Sequence, residues 1–231
     1  DTVLEIGPGT GVLTRPLAAL VKKVIAVEKD EQLARTLTRQ LQSEKITNVA
    51  ILEGDILIHV PELLSPYKIV ANIPYYLTAR LLRLFLEKQG EKPSSMTLTI
   101  QKEVAERIIA KPPRENLLAL SVQVFGTPRI VATIPASCFS PKPEIDSSII
   151  SISDISDEFF IKHHIDAQSF FRIARMGFSQ KRKMLINSLG VITDKKTLIQ
   201  LFFRLGIEPK TRPEQLTPDQ WATFIHELTL L

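Results

Sequence analysis

The chain has 231 residues, enough for one large domain or for one medium and one small. Hydrophobic residues make up 44% and charged residues 23%, which excludes a disordered or low-complexity chain, and the net charge of +4 permits an anionic partner without demanding one. A single cysteine, Cys138, excludes an internal disulfide and fits a reducing compartment; no run of 18 apolar residues is present to form a membrane-spanning helix. The four histidines have no ligand spacing, so no metal site is expected. The chain starts at Asp1, without a methionine or signal-peptide pattern and directly before a strand, from which we expect that an N-terminal segment is missing.

Thr2 to Ile6 reads as a short apolar strand, followed by Gly7-Pro8-Gly9-Thr10-Gly11 and a helix pattern from Leu13 to about Val21. Strand, glycine loop and helix form the context of a nucleotide-binding loop, because glycines let the backbone approach a ligand and the helix start presents free N–H groups. The next strand, Lys23 to Val27, ends in Glu28 with Lys29 beside it. An acid at that distance from the glycine loop, on a strand tip, is placed to accept from the two hydroxyls of a ribose. This spacing points to an adenosine-type cofactor, although such loops also bind dinucleotides, and Glu28 could instead be a solvated strand end. Glu31 to Leu41 is a helix with Leu33, Ala34, Leu37 and Leu41 on one face, and Val49 to Leu52 is a third strand ending in Gly54-Asp55-Ile56. Asp55 can accept from the exocyclic amine of an adenine, with Ile56 covering the ring; the alternative is an Asp that caps the next turn.

The fourth strand, Lys68 to Ala71, runs into Asn72-Ile73-Pro74-Tyr75-Tyr76. Pro74 cannot donate to a ladder and stops the strand, so these residues hang from its carboxyl end, where open α/β sheets bind ligands. An amide, a carbonyl run held by proline and two aromatic rings suit a flat, nitrogen-bearing substrate. A strand-to-turn junction whose tyrosines pack the core is the other reading. All four tips are expected along one edge of one parallel sheet.

Thr78 to about Lys88 reads as a helix with Leu81, Leu82, Phe85 and Leu86 facing the core. Met96 to Ile100 is a strand, Gln101-Lys102-Glu103 opens a helix to Ile109, Leu117 to Phe125 is an apolar segment, Arg129 to Ile134 a strand, and Ser148 to Ile152 the strand that closes the sheet. Between the last two lies Phe139-Ser140-Pro141-Lys142-Pro143-Glu144-Ile145-Asp146-Ser147, whose two prolines stiffen a loop headed by an aromatic ring. Phe139 could face a flipped base or be a plain core residue. We expect a first domain over 1–153, a polar linker over 154–164, and a small all-α domain over 165–231. The latter opens with Arg172, Arg175, Lys181, Arg182 and Lys183, with no acid between Gln168 and Ile192. Such a block is either a solvated face or a contact for phosphates. Trp221 and Phe224 are expected in the small core.

Glu5-Ile6-Gly7-Pro8-Gly9-Thr10-Gly11 resembles the first motif of Rossmann-like S-adenosylmethionine-dependent methyltransferases, and Asn72-Ile73-Pro74-Tyr75 resembles the fourth motif of the amino-methyltransferases among them. With the phenylalanine-proline-proline-aspartate-serine frame from Phe139 to Ser147 and the basic helical stretch, the whole chain resembles the ribosomal RNA adenine dimethyltransferases. The resemblance implies a Rossmann-like α/β sheet followed by a small helical RNA-binding domain. It implies S-adenosylmethionine as cofactor, held by Gly7, Gly9, Glu28, Lys29, Asp55, Ile56 and Asn72. It implies catalysis by Asn72, Ile73, Pro74 and Tyr75 with Phe139, and two adjacent small-subunit rRNA adenosines as substrate. Two further implications are an upstream motif that this sequence does not contain and a bacterial cytoplasmic or organellar setting; a monomer without metal is expected. The rival readings are the large-subunit rRNA methyltransferases of macrolide resistance, a non-enzymatic nucleic-acid binder on the same fold, and a DNA-adenine or protein-glutamine methyltransferase.

Overall fold

The computed structural model describes residues 1–63, 66–87, 90–180 and 183–230. Seven strands form one sheet: β1 (Thr2–Ile6), β2 (Lys23–Glu28), β3 (Val49–Glu53), β4 (Tyr67–Asn72), β5 (Ser95–Gln101), β6 (Thr127–Ile134) and β7 (Ser147–Ser153). Their order is β3-β2-β1-β4-β5-β7-β6. The first five are parallel, with Ile6 opposite both Val27 and Ala71. β7 runs antiparallel to both β5 and β6. The α/β fold class expected from the sequence is therefore present, as are its first four strands with their tips on one edge. The end of the sheet differs: the last strand in sequence inserts between β5 and β6 instead of closing the edge. Burial explains the swap. β7 buries Ser147, Ser148, Ile150 and Ile152, whereas β6 leaves Val131 exposed, so β7 belongs inside and β6 at the rim.

The helices are α1 (Thr14–Leu20), α2 (Glu31–Ser43), α3 (Thr78–Leu86), α4 (Lys102–Ile108), α5 (Leu117–Gln123), α6 (Glu158–Lys162), α7 (Ala167–Gly177), α8 (Leu185–Ser188), α9 (Lys195–Arg204) and α10 (Pro218–Thr229). The Asp30 side chain caps α2 by accepting from the Leu33 N–H, and Ala34, Leu37 and Leu41 turn inward while Leu33 stays partly out. In α3, Leu81, Leu82, Phe85 and Leu86 are all buried, as their spacing requires.

The chain forms two compact units, one of residues 1–105 with 127–155, the other of 106–126 with 156–231. This partition departs from a single cut at 153. The apolar segment near 120 carries helix α5, which packs on α7, and Phe125 just beyond it lies tilted on Phe160 and stacked on Phe171, so the segment joins the helical unit. The stretch expected as a linker carries α6, whose Phe160 is buried by Phe125, Phe170 and Phe171. Elsewhere in the second unit Trp221, Phe224 and Phe202 are fully buried, as expected of the first two. Gly177 is required there, since a Cβ would lie 2.5 Å from Cη2 of Trp221. α10 starts with a Thr217–Gln220 capping box and Pro218 in its first turn.

Glu115 is the anomaly of the second unit. It is buried, neither carboxylate oxygen has a hydrogen-bond partner among the described residues, and it lines a cleft of about 540 Å³. Burial pushes its carboxyl up to about 7, and the neighbouring Asn116 N–H and Lys111 charge offset only part of this. A raised carboxyl favours folding fully below its unfolded value near 4.5, and that contribution is lost as pH rises through about 7. Glu115→Gln is therefore expected to match the wild type in thermal midpoint at pH 4 and to exceed it at pH 8. Paired melting curves across that range check it.

Candidate functional site

The site is built from the tips of β1, β2, β3 and β4, all within the first unit. After β1 the backbone turns sharply: Gly7, Gly9 and Gly11 have φ of +68°, +55° and +80°. These are left-handed values that side chains rarely adopt. No atom lies within 4 Å of the place a Cβ would take at Gly7 or Gly9, so their backbone borders open space. Gly11 serves packing instead, because a Cβ there would lie 2.4 Å from Cδ1 of Leu37.

Glu28 ends β2 and is buried. It is not the solvated strand end that the sequence left open. One carboxylate oxygen accepts from the Gly9 N–H at 3.0 Å and the other from the Asp30 N–H at 2.9 Å. The acid thus braces the glycine loop, and each oxygen retains a second acceptor position. Lys29 points outward and its Nζ lies 3.0 Å from Oδ2 of Asp55. Asp55 Oδ1 accepts from the Leu57 N–H; that bond first, then Lys29, holds its carboxyl below the usual range. Asp55 is therefore the turn-capping residue of its loop while remaining on the same edge as Glu28. Ile56 is buried and leaves little of its side chain to the open edge.

Asn72 is the last residue of β4 and is exposed. The next residue, Ile73, is buried and its N–H donates to the Thr99 carbonyl at 3.3 Å, so the backbone is anchored immediately behind the amide. Pro74 ends the ladder, and Tyr75–Leu77 form a short 3₁₀ turn. The two tyrosines diverge: Tyr76 is 77% exposed, whereas Tyr75 is half-buried with its hydroxyl 2.9 Å from Oγ of Ser147. Neither ring is a fully buried core residue. Phe139 is half-buried at the end of a 3₁₀ turn, Ala136–Cys138, so it is not a fully buried core residue. Its loop is closed by Asp146, which accepts from the Ala136 N–H through Oδ1 and from the Lys102 N–H through its carbonyl.

One group at this edge escaped the sequence reading. Glu5 is buried in the middle of β1, with one oxygen lacking a partner among the described residues. Burial raises its carboxyl to about 7; the Thr14 hydroxyl opposes this and the Glu28 charge adds to it. A charged residue type between the apolar Val3, Leu4 and Ile6 was the available signal.

In the helical unit, Arg172 and Lys183 are exposed. Arg175 is exposed as well, with its guanidinium 5.5 Å from the centre of the Phe171 ring. Lys181 and Arg182 lie outside the described residues. The basic stretch is not one helix, since α7 ends at Gly177 with Phe178 as its C-cap. Among the described residues no group of three or more potential metal ligands occurs, and no helix is long and apolar enough to cross a membrane.

A mixed sheet of this order, its first five strands parallel, with a glycine loop after β1, an acid ending β2 and an Asn-Ile-Pro-Tyr tip on β4, defines a Rossmann-like methyltransferase fold. Solved structures agree. A dimethyladenosine transferase from Plasmodium falciparum superposes with a TM-score of 0.87 at 25% identity, covering all of this chain and 90% of that one. The 23S rRNA methyltransferase ErmE superposes at 0.75 and 23% identity over 99% of this chain and 91% of its own, a likeness of fold. Residues 1–230 match the family described as ribosomal RNA adenine dimethylase, and the chain belongs to that family. A relative from Dehalococcoides mccartyi named ribosomal RNA small subunit methyltransferase A is 41% identical over 96% of this chain and 76% of its own length. One of the same name from Nostoc punctiforme is 37% identical over all of this chain and 84% of its own.

Proposed function

We propose that the protein transfers methyl groups from S-adenosylmethionine to N6 of two adjacent adenosines in small-subunit rRNA, giving N6,N6-dimethyladenosine. The observation that carries this is the exposed Asn72 amide on an anchored strand tip, flanked by Tyr75 and sharing an edge with the glycine loop and Glu28. Family membership and the small-subunit names of the relatives favour this substrate over large-subunit RNA. The cofactor fits the residues present, since Gly7 and Gly9 leave their Cβ positions open and Glu28 retains acceptor capacity beside them.

In this reading Gly7 and Gly9 admit the amino-acid portion of the cofactor, Glu28 with Lys29 holds the ribose region, and Asp55 with Ile56 the adenine. When bound, the cofactor supplies an electrophilic methyl on a sulfonium. The residues of the chain then act on the acceptor. N6 of adenine is a poor nucleophile because its lone pair is delocalised into the ring. The Asn72 side-chain oxygen and the Ile73 carbonyl accept the two N6 hydrogens, which draws the nitrogen toward a tetrahedral shape and localises the lone pair. Pro74 holds that carbonyl run rigid. Tyr75 and Phe139 stack the extruded base. No strong base is required, since the nitrogen loses its proton readily once methylated, and alignment supplies the remaining rate. In the helical unit the exposed Arg172 and Lys183, with Arg175, Lys181 and Arg182, meet backbone phosphates. The protein acts as a monomer without metal, in the cytoplasm of a bacterium or in an organelle.

The test is transfer of labelled methyl from S-adenosylmethionine to undermethylated small ribosomal subunits, with large-subunit RNA in parallel. Dimethyladenosine in the small subunit is the expected result. Label confined to large-subunit RNA overturns the substrate, and no label in either, with cofactor bound, overturns the enzyme reading.

A further inference from the structure

Tyr75 occupies a three-residue 3₁₀ turn, a geometry with weak hydrogen bonds, and its ring is only half-buried. Local backbone and packing therefore leave its tilt poorly determined, and the χ2 torsion of a tyrosine is intrinsically broad. One contact removes that freedom: the phenol oxygen lies 2.9 Å from Oγ of Ser147, either group being able to donate. Ser147 is itself immobile. It is fully buried and is the first residue of β7, paired in register with Gln101 of β5. It also ends the loop that begins at Phe139, directly after Asp146, whose side chain and carbonyl close that loop. A single bond thus ties the tyrosine following the Asn72 tip to the base of the loop that presents Phe139.

We propose that Ser147 is a positioning residue for methyl transfer: its hydroxyl sets the tilt of the Tyr75 ring and keeps it in register with the Phe139 loop, so that the acceptor base stacks in line with the methyl donor. This rests on the reading of Asn72 to Tyr75 as the acceptor site. The adjacent serine supplies an internal contrast. Ser148 is as deeply buried, but its hydroxyl has no partner among the described residues. Removing either hydroxyl takes away one oxygen from the same strand, yet only one of them reaches the site.

The experiment compares Ser147→Ala, Tyr75→Phe, the double variant and Ser148→Ala in single-turnover methyl transfer, with ring-labelled tyrosine followed by NMR. The chain has only three tyrosines, so the Tyr75 signal is assignable by its loss in Tyr75→Phe. Ser147→Ala is expected to lower the transfer rate about fivefold to tenfold with cofactor KM within about twofold. Tyr75→Phe should match it, and the double variant should be no slower than either single one. Ser148→Ala should keep the wild-type rate, and the Tyr75 ring signal should shift or average only where Ser147 is replaced. Additive losses, an equal loss in Ser148→Ala, or an unmoved Tyr75 signal overturns the positioning role while the methyltransferase reading stands. A wild-type protein that transfers no methyl to RNA overturns that reading and the positioning role with it.

Discussion

Asn72→Ala is expected to lower the rate of methyl transfer by about 10²–10³-fold while cofactor affinity changes by less than about threefold. Asn72 is exposed at the end of β4, so shortening it opens no core cavity and should leave the fold intact. In the proposed mechanism what is lost is an acceptor aimed at the amine whose lone pair must be localised, an interaction that strengthens toward the transition state. Asn72→Asp keeps the acceptor oxygens but adds a charge beside the sulfonium, so it should retain more activity than alanine at saturating cofactor. Single-turnover rates and cofactor titration separate the two effects. An Asn72→Ala enzyme with the wild-type rate would remove the amide from the mechanism.

Glu28→Gln is the second large effect, and it falls on the cofactor. Both carboxylate oxygens accept backbone N–H bonds, from Gly9 and Asp30. An amide can accept only one of them and sets an NH₂ against the other, leaving a buried donor unmatched. The expected cost is about 1–3 kcal/mol of stability, with the glycine loop released from its brace. Cofactor affinity should fall about 10- to 100-fold, because in the proposed reading the ribose loses a charged acceptor and the loop loses its preset shape. Melting temperature and cofactor titration together check this. A stable Glu28→Gln protein with wild-type affinity would show that the acid braces the loop without holding the ribose.

Much of this was legible in the chain itself. The glycine loop, the acid ending β2 and the Asn-Ile-Pro-Tyr tip were readable because each needs a residue type that local backbone geometry enforces. Glycine tolerates positive φ, proline ends a ladder, and a polar residue after an apolar run ends a strand. Helices α2 and α3 were readable for a related reason, since the 3.6-residue period of their apolar positions is a property of the segment alone. The role of Glu28 as a brace was not readable. Its Asp30 partner is local, two residues on, but the Gly9 N–H meets it only when β1 and β2 lie side by side.

The sequence by itself determined the α/β class, the four strand tips and the residue types at those tips, because these follow from short-range chemistry. The tertiary structure alone decided four things: that β7 lies inside β6, that α5 and α6 belong to the helical unit, that Glu5 and Glu115 are buried carboxyls, and that Ser147 meets Tyr75. Each depends on which distant segments share a neighbour. Ser147 and Tyr75 are 72 residues apart along the chain, and burial and hydrogen-bond satisfaction are settled only when such segments are packed together.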